Sequence, residues 1–313
     1  MNKRKFKRVI VLSMFVLLMV MITGYGAFNT NIGLSAKGNV YDKGDLCYET
    51  SNNGDGTVTI TNYDKTCGSY VIIPSTIKGK TVTKIGSIIW GTDGAFFGKG
   101  LTKVVIPDTV TYIGNCAFAN NAISDIDFGN GLEEIGYEAF HINNLTSIVF
   151  PKTLKIIGYG AFLRNYLTSI PPLDNIKYGG GAFSENSLKP ETAFIYDRND
   201  DGSIDYTSLN SYAARQYVAV LNIPDGVKKL SFLSLRFSNA GTINLPEGLE
   251  VISESAFHQS YVNVVNIPSS VKSIGSLSFA QTDNLTEINI DKPEGFISGS
   301  PWGASKATVN WNE

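Results

Sequence analysis

The sequence predicts a mainly β solenoid, and three features predict it: a phenylalanine and a proline that each recur every 22 residues, and short alternating apolar segments between them. Phe118, Phe140, Phe162 and Phe183 step by 22, 22 and 21; Pro224, Pro246 and Pro268 step by 22, as do Phe257 and Phe279. A unit this short cannot bury its apolar face alone, so successive units must stack.

Each unit opens on a short strand. Leu101, Val104 and Ile106 recur as Ile123, Ile126 and Phe128 and as Leu145, Ile148 and Phe150, the last two positions alternating with outward residues. A proline usually follows (Pro107, Pro151, Pro224, Pro246, Pro268) and ends the ladder by withholding a donor. A second apolar pair comes next, Val110 and Ile113, repeated as Leu132 and Ile135 and as Leu249 and Ile252. Gly114, Gly136, Gly158 and Gly275 then mark places where backbone either turns sharply or packs closely. An Ala-Phe pair completes the unit, the ring filling the interior.

This pattern, L-x-x-I-x-I-P-x-x-V-x-x-I-G-x-x-A-F, resembles the leucine-rich repeats of the bacterial BspA type over residues 71 to about 290. The resemblance implies a curved right-handed solenoid with brief helical or 3-10 turns, on a secreted or surface-displayed protein that binds partners. Gly129 in place of proline, Ser231 and Ser253 in place of glycine, and Leu235 in place of phenylalanine depart from the pattern.

The chain divides accordingly. Lys3, Arg4, Lys5, Lys7 and Arg8 precede Val9 to Phe28, twenty residues without a charge. Residues 1–28 therefore read as a signal peptide or a membrane anchor, the only expected contact with a membrane, and the remainder of the chain is placed outside the cell. Residues 29–70 form a front cover in which LCYETSNN and TVTITNY flank the hairpin turn Asn53 to Gly56. Cys47 and Cys67 bracket that hairpin and are expected to form a disulfide in an oxidising compartment; Cys116 is expected in the core. Residues 71–188 are a first repeat array, 189–217 an inserted hairpin, 218–290 a second array, and 291–313 a rear cover holding two tryptophans. About eight coils are expected.

Composition narrows function. With 17% charged and 43% hydrophobic residues the chain folds, and a net charge of -2 carries no basic footprint for nucleic acid. There are two histidines, His141 and His258, and the repeat places them roughly 20 Å apart at about 4.8 Å per strand. No nucleophile elbow, H-E-x-x-H, paired C-x-x-C or phosphate loop is present, and Gly179 to Gly181 fall in repeat register. The expectation is a non-enzyme with no cofactor, a calcium ion in the insert being the one alternative.

The insert holds Asp197, Asn199, Asp201, Gly202 and Asp205, spaced like the ligands of a calcium loop. Position 12 of that loop is Ser208, where a bidentate glutamate belongs. The same residues equally suit a hairpin turn, so a calcium site and a plain hairpin both stand.

Binding is expected on the outward side of the strands. One outward column runs Val105, Asp127, Val149, Pro171 and then Asn222, Asn244, Asn266 and Asn289. The four asparagines form either a stripe for an extended glycan or peptide, or a ladder of amides paired along the stack. Asn121, Asn143, Asn165 and Asn186, three residues after each phenylalanine, are expected to satisfy turn backbone. The leading function is adhesion-like binding of an extracellular protein or glycan. The alternatives are a self-assembling envelope component and a carbohydrate-active enzyme using carboxylates of neighbouring coils.

Overall fold

A computed structural model describes residues 33–34, 40–41, 44–86, 94–200 and 203–312. Two units are distinguished, Met1–Gly44 and Asp45–Glu313. In the first, Gly33–Leu34 pairs antiparallel with Val40–Tyr41. The charged cluster and the apolar run Val9 to Phe28 lie outside the described residues. Among the described residues, no helix is long and apolar enough to cross a membrane.

The second unit is a β-solenoid of about 11 turns with almost no helix. Its strands stack in parallel at the repeat interval: Ile85, Ile113, Ile135 and Ile157 lie side by side, as do Leu209, Leu230, Ile252 and Ile274. A second face carries Tyr70–Ile72, Lys103–Val105 and Asp125–Asp127, and beyond the insert Val218–Asn222, Asn239–Asn244, Tyr261–Ile267, Glu287–Ile290 and Thr308–Trp311. Among the described residues, helical structure is confined to 3-10 turns at Gly44–Cys47, Lys65–Cys67 and Pro190–Thr192.

The phenylalanines form one column through the interior. Phe96, Phe118, Phe140, Phe162 and Phe183 stack with centroids 4.8, 5.1, 5.4 and 5.6 Å apart. Beyond the insert, Phe257 and Phe279 stack at 4.7 Å. Tyr212 takes the phenylalanine position in the intervening coil: its N–H donates to Ser234 O, as Phe140 N–H donates to Ala161 O. The second strand of the inserted hairpin is thus itself a coil, with Ser208 and Leu209 paired to Lys229 and Leu230. This coil and the covers bring the expected eight coils to about 11.

Both ends of the column are closed by aromatic rings. Tyr63 stacks on Phe96 at 5.0 Å, and Tyr48 meets the same ring edge-on. These tyrosines belong to an antiparallel hairpin, Tyr48–Asn52 with Val58–Tyr63, whose second strand joins Lys80–Ile85 in parallel. Cys47 and Cys67 are disulfide-bonded across it with Cα atoms 6.0 Å apart, a linkage that stabilises by about 3 kcal/mol. At the rear, Trp302 lies 6.5 Å from Phe279, accepts the Phe279 N–H through its carbonyl, and packs against Trp311.

Of the two reasons for glycine, close approach is the one found. A Cβ on Gly158 would lie 2.6 Å from the Gly136 carbonyl carbon, and none of Gly114, Gly136, Gly158 and Gly275 has a positive φ. The left-handed corner falls two residues later, at Cys116, Glu138, Gly160, Gly181, Leu233, Ser255 and Leu277. That corner corrects the expectation for Cys116, which is half-buried there and not within the core.

Candidate functional site

Four asparagines lock the corners of the first array. Asn143 Nδ2 donates to Phe118 O at 2.9 Å and Phe140 O at 3.2 Å, while its Oδ1 accepts from Ile123 N at 3.0 Å. Asn121, Asn165 and Asn186 repeat the arrangement. One amide thereby closes its own unit and joins it to the unit before. In the second array Thr282 keeps a single bond, to Phe279 O, and the Ser260 hydroxyl is buried without a partner among the described residues.

The outward strand face carries a three-stranded sheet before the insert and a five-stranded sheet after it. Asn222, Asn244, Asn266 and Asn289 stand in register on adjacent parallel strands. Each Nδ2 donates to the Oδ1 of the asparagine before it, at 2.8, 2.7 and 2.9 Å. The geometry is that of a ladder, and it runs one step further than the repeat pattern indicates: Asn310 Nδ2 donates to Asn289 Oδ1 at 2.8 Å. The signal for Asn310 is present in Val309-Asn310-Trp311, which matches Ile288-Asn289-Ile290 position for position. Internal ladder amides spend their acceptor and one donor on each other, so their main effect is to stiffen the wall.

Apolar groups share this face. Val149 is 82% exposed in the asparagine column, and Ile72, at its front, is also exposed. Tyr70 and Val220 are exposed in the neighbouring column. Beside them Lys103 pairs with Asp125 at 2.6 Å and lies over the Tyr70 ring.

The insert forms an antiparallel hairpin, Phe194–Arg198 with Ile204–Tyr212. Asp197 lies opposite Asp205 in its register. The Asp197 carboxylate accepts from Ser208, Ser231 and Asn210, and Asp205 accepts from the N–H and hydroxyl of Thr207. Asn199 donates to Ser203 Oγ at 3.0 Å. Asp201 lies outside the described residues, so the four calcium candidates are not seen together. Among the described residues, no three acidic, histidine or cysteine side chains are gathered to hold a metal.

Sequence reasoning missed a charged cluster at the coil corner. Glu138 accepts from Tyr137 at 2.9 Å and lies 3.3 Å from Arg236 and 3.4 Å from His141. Burial alone would raise the Glu138 carboxyl, but the bond to His141, that ring's charge, Tyr137 and Arg236 together pull it below its ordinary value. Burial, and then the charge of Arg236, lowers His258. Arg236 is far from Glu138 in sequence, and the contact passes over Gly160, where a Cβ would lie 3.1 Å from Glu138 Cγ.

The profile of the BspA type leucine-rich repeat region matches residues 91–196 and 203–300 in six copies. Among solved structures, a leucine-rich repeat protein from Eubacterium ventriosum is 21% identical, with 91% of this chain and 78% of that chain covered and a TM-score of 0.60. A leucine-rich repeat protein from Bacteroides ovatus is 20% identical over 84% and 75% of the two chains, with a TM-score of 0.43. The pneumococcal vaccine antigen PcpA is 18% identical over 85% and 86%, with a TM-score of 0.42. No curated protein sequence matches the chain.

Proposed function

The chain belongs to the BspA-type leucine-rich repeat family, and from that premise we propose that it is an exported, non-catalytic binding protein. Its outward strand wall engages an extracellular protein or glycan. The observation that carries this reading is the exposure of Val149, Ile72, Tyr70 and Val220 on one face of a stack that already buries its own apolar positions. Apolar side chains gathered on an otherwise satisfied surface mark interaction sites. Export is supported by the five cations ahead of the uncharged run Val9 to Phe28, and a disulfide suits an oxidising compartment.

A wide wall favours a macromolecule, since many weak contacts in register select an extended partner better than a small one. Glycan and matrix-protein arrays probed with the folded full chain test this. Retention on at least one extended polymer or matrix protein is expected. Silence on both arrays, from a sample with a cooperative melt, overturns the proposal.

A further inference from the structure

An open cleft of about 510 Å³ lies at the joint between the first array and the inserted coil. Gly180 creates it. A Cβ on residue 180 would overlap the Phe232 carbonyl, so this position accepts only glycine. Beside that contact the rings of Tyr159 and Phe232 meet edge-on at 5.5 Å, forming an aromatic corner. Both rings remain open to solvent, at 45% and 42% exposure.

Polar groups line the rest. Asn210 is 2% exposed, and its Oδ1 has no hydrogen-bond partner among the described residues, while its Nδ2 is held by Asp197 and the Tyr178 carbonyl. Lys177 and Lys229 stand exposed on the lining, and neither has an ion-pair partner among the described residues. Lining cations (Lys177, Arg198, Lys229) and lining carboxylates (Asp197, Asp200, Asp205) balance in formal charge. Phosphate or sulfate therefore gains no net attraction.

We propose that this cleft binds an uncharged saccharide unit of one or two rings, its apolar ring face against Tyr159 and Phe232 and its hydroxyls on the exposed Lys177, Lys229 and Asp200. Such a ligand needs an apolar platform together with both donors and acceptors, and this lining offers all three. The volume falls within the range of about 300–1,000 Å³ found for small-molecule sites. The inference deepens the binding function above by giving one partner class a defined seat, separate from the strand wall.

Saturation-transfer NMR and calorimetry on the full chain test it, with maltose, cellobiose, lactose and diacetylchitobiose as neutral probes and glucuronic acid as the anionic control. At least one neutral disaccharide is expected to bind more tightly than glucuronic acid. Phe232→Ala should weaken it by about tenfold. Should Phe232→Ala also lower the melting temperature, Lys229→Ala decides, because that side chain is exposed; it too should weaken binding. No binding by any neutral probe, preference for glucuronic acid, or unchanged affinity in Lys229→Ala would each overturn the proposal. Array capture is scored in parallel: capture that survives while every disaccharide is silent defeats the cleft alone, and silent arrays with intact disaccharide binding defeat the strand wall alone.

Discussion

Phe118 and Phe140, twenty-two residues apart, lie with their rings 5.1 Å apart and only 7° from parallel. This spacing equals the rise from one strand to its neighbour, so the rings stack because the backbones do. A residue within the column has a ring above and a ring below, and its loss cannot be filled by local collapse. Phe140→Ala is expected to destabilise by about 3–5 kcal/mol. Phe140→Leu, which copies what Leu235 does in the second array, should cost less. Denaturant unfolding of both variants checks the order; equal losses would mean that the column is not continuous.

Asn143 ties two successive units together through one buried amide. Asn143→Leu leaves the Ile123 N–H unpaired and takes one of two amide donors from each of the Phe118 and Phe140 carbonyls, which keep Asn121 and Asn165. A loss of about 2–4 kcal/mol follows, and Asn143→Thr should recover part of it, because Thr282 keeps one such bond. Thermal melts of the pair measure this.

Acid should weaken the fold through Glu138. Its folded carboxyl lies below the ordinary value of 4.5. The unfolded chain therefore takes up the proton first, and the stability present above that value is lost as pH falls through the folded value. His258, held below its ordinary 6.5, acts in the same direction from a higher pH: its contribution is present above 6.5 and declines below it. Melting temperature should fall between pH 7 and pH 4, and Glu138→Gln should flatten the lower part of that curve. A variant with the wild-type slope below pH 4.5 would contradict the assignment.

The Asp197 carboxylate already accepts from Ser208, Ser231 and Asn210. Its role is to fasten the hairpin to the following coil, and we expect calcium to find no seat. Calorimetric titration with millimolar calcium should give no heat beyond dilution, and Asp201→Ala should behave as wild type. A saturable signal abolished by Asp201→Ala would restore the calcium reading.

The parts of the fold legible in the amino-acid sequence are those that repeat. The phenylalanine column, the asparagine corner and the outward strand positions recur at a fixed interval, so their burial follows from stacking alone. Tyr212 is hidden because it follows Phe183 by 29 residues, across a hairpin that obscures the register. Tyr63 and Trp302 continue the column without the motif, which is why the repeat pattern does not reveal the covers as coils. The left-handed corner carries cysteine, glutamate, leucine or serine as readily as glycine, so residue type does not betray it. Glu138 with Arg236, and Tyr159 with Phe232, meet at sequence separations that the repeat interval does not indicate.

Binding at the strand wall is tested best by capture of whichever array ligand is retained, compared between the wild-type chain, Val149→Asp on the outward wall and Leu277→Asp at an exposed coil corner. Val149→Asp is expected to lower affinity by about tenfold with an unchanged melting temperature, and Leu277→Asp to bind as wild type. Equal affinity in all three proteins would contradict a role for the wall.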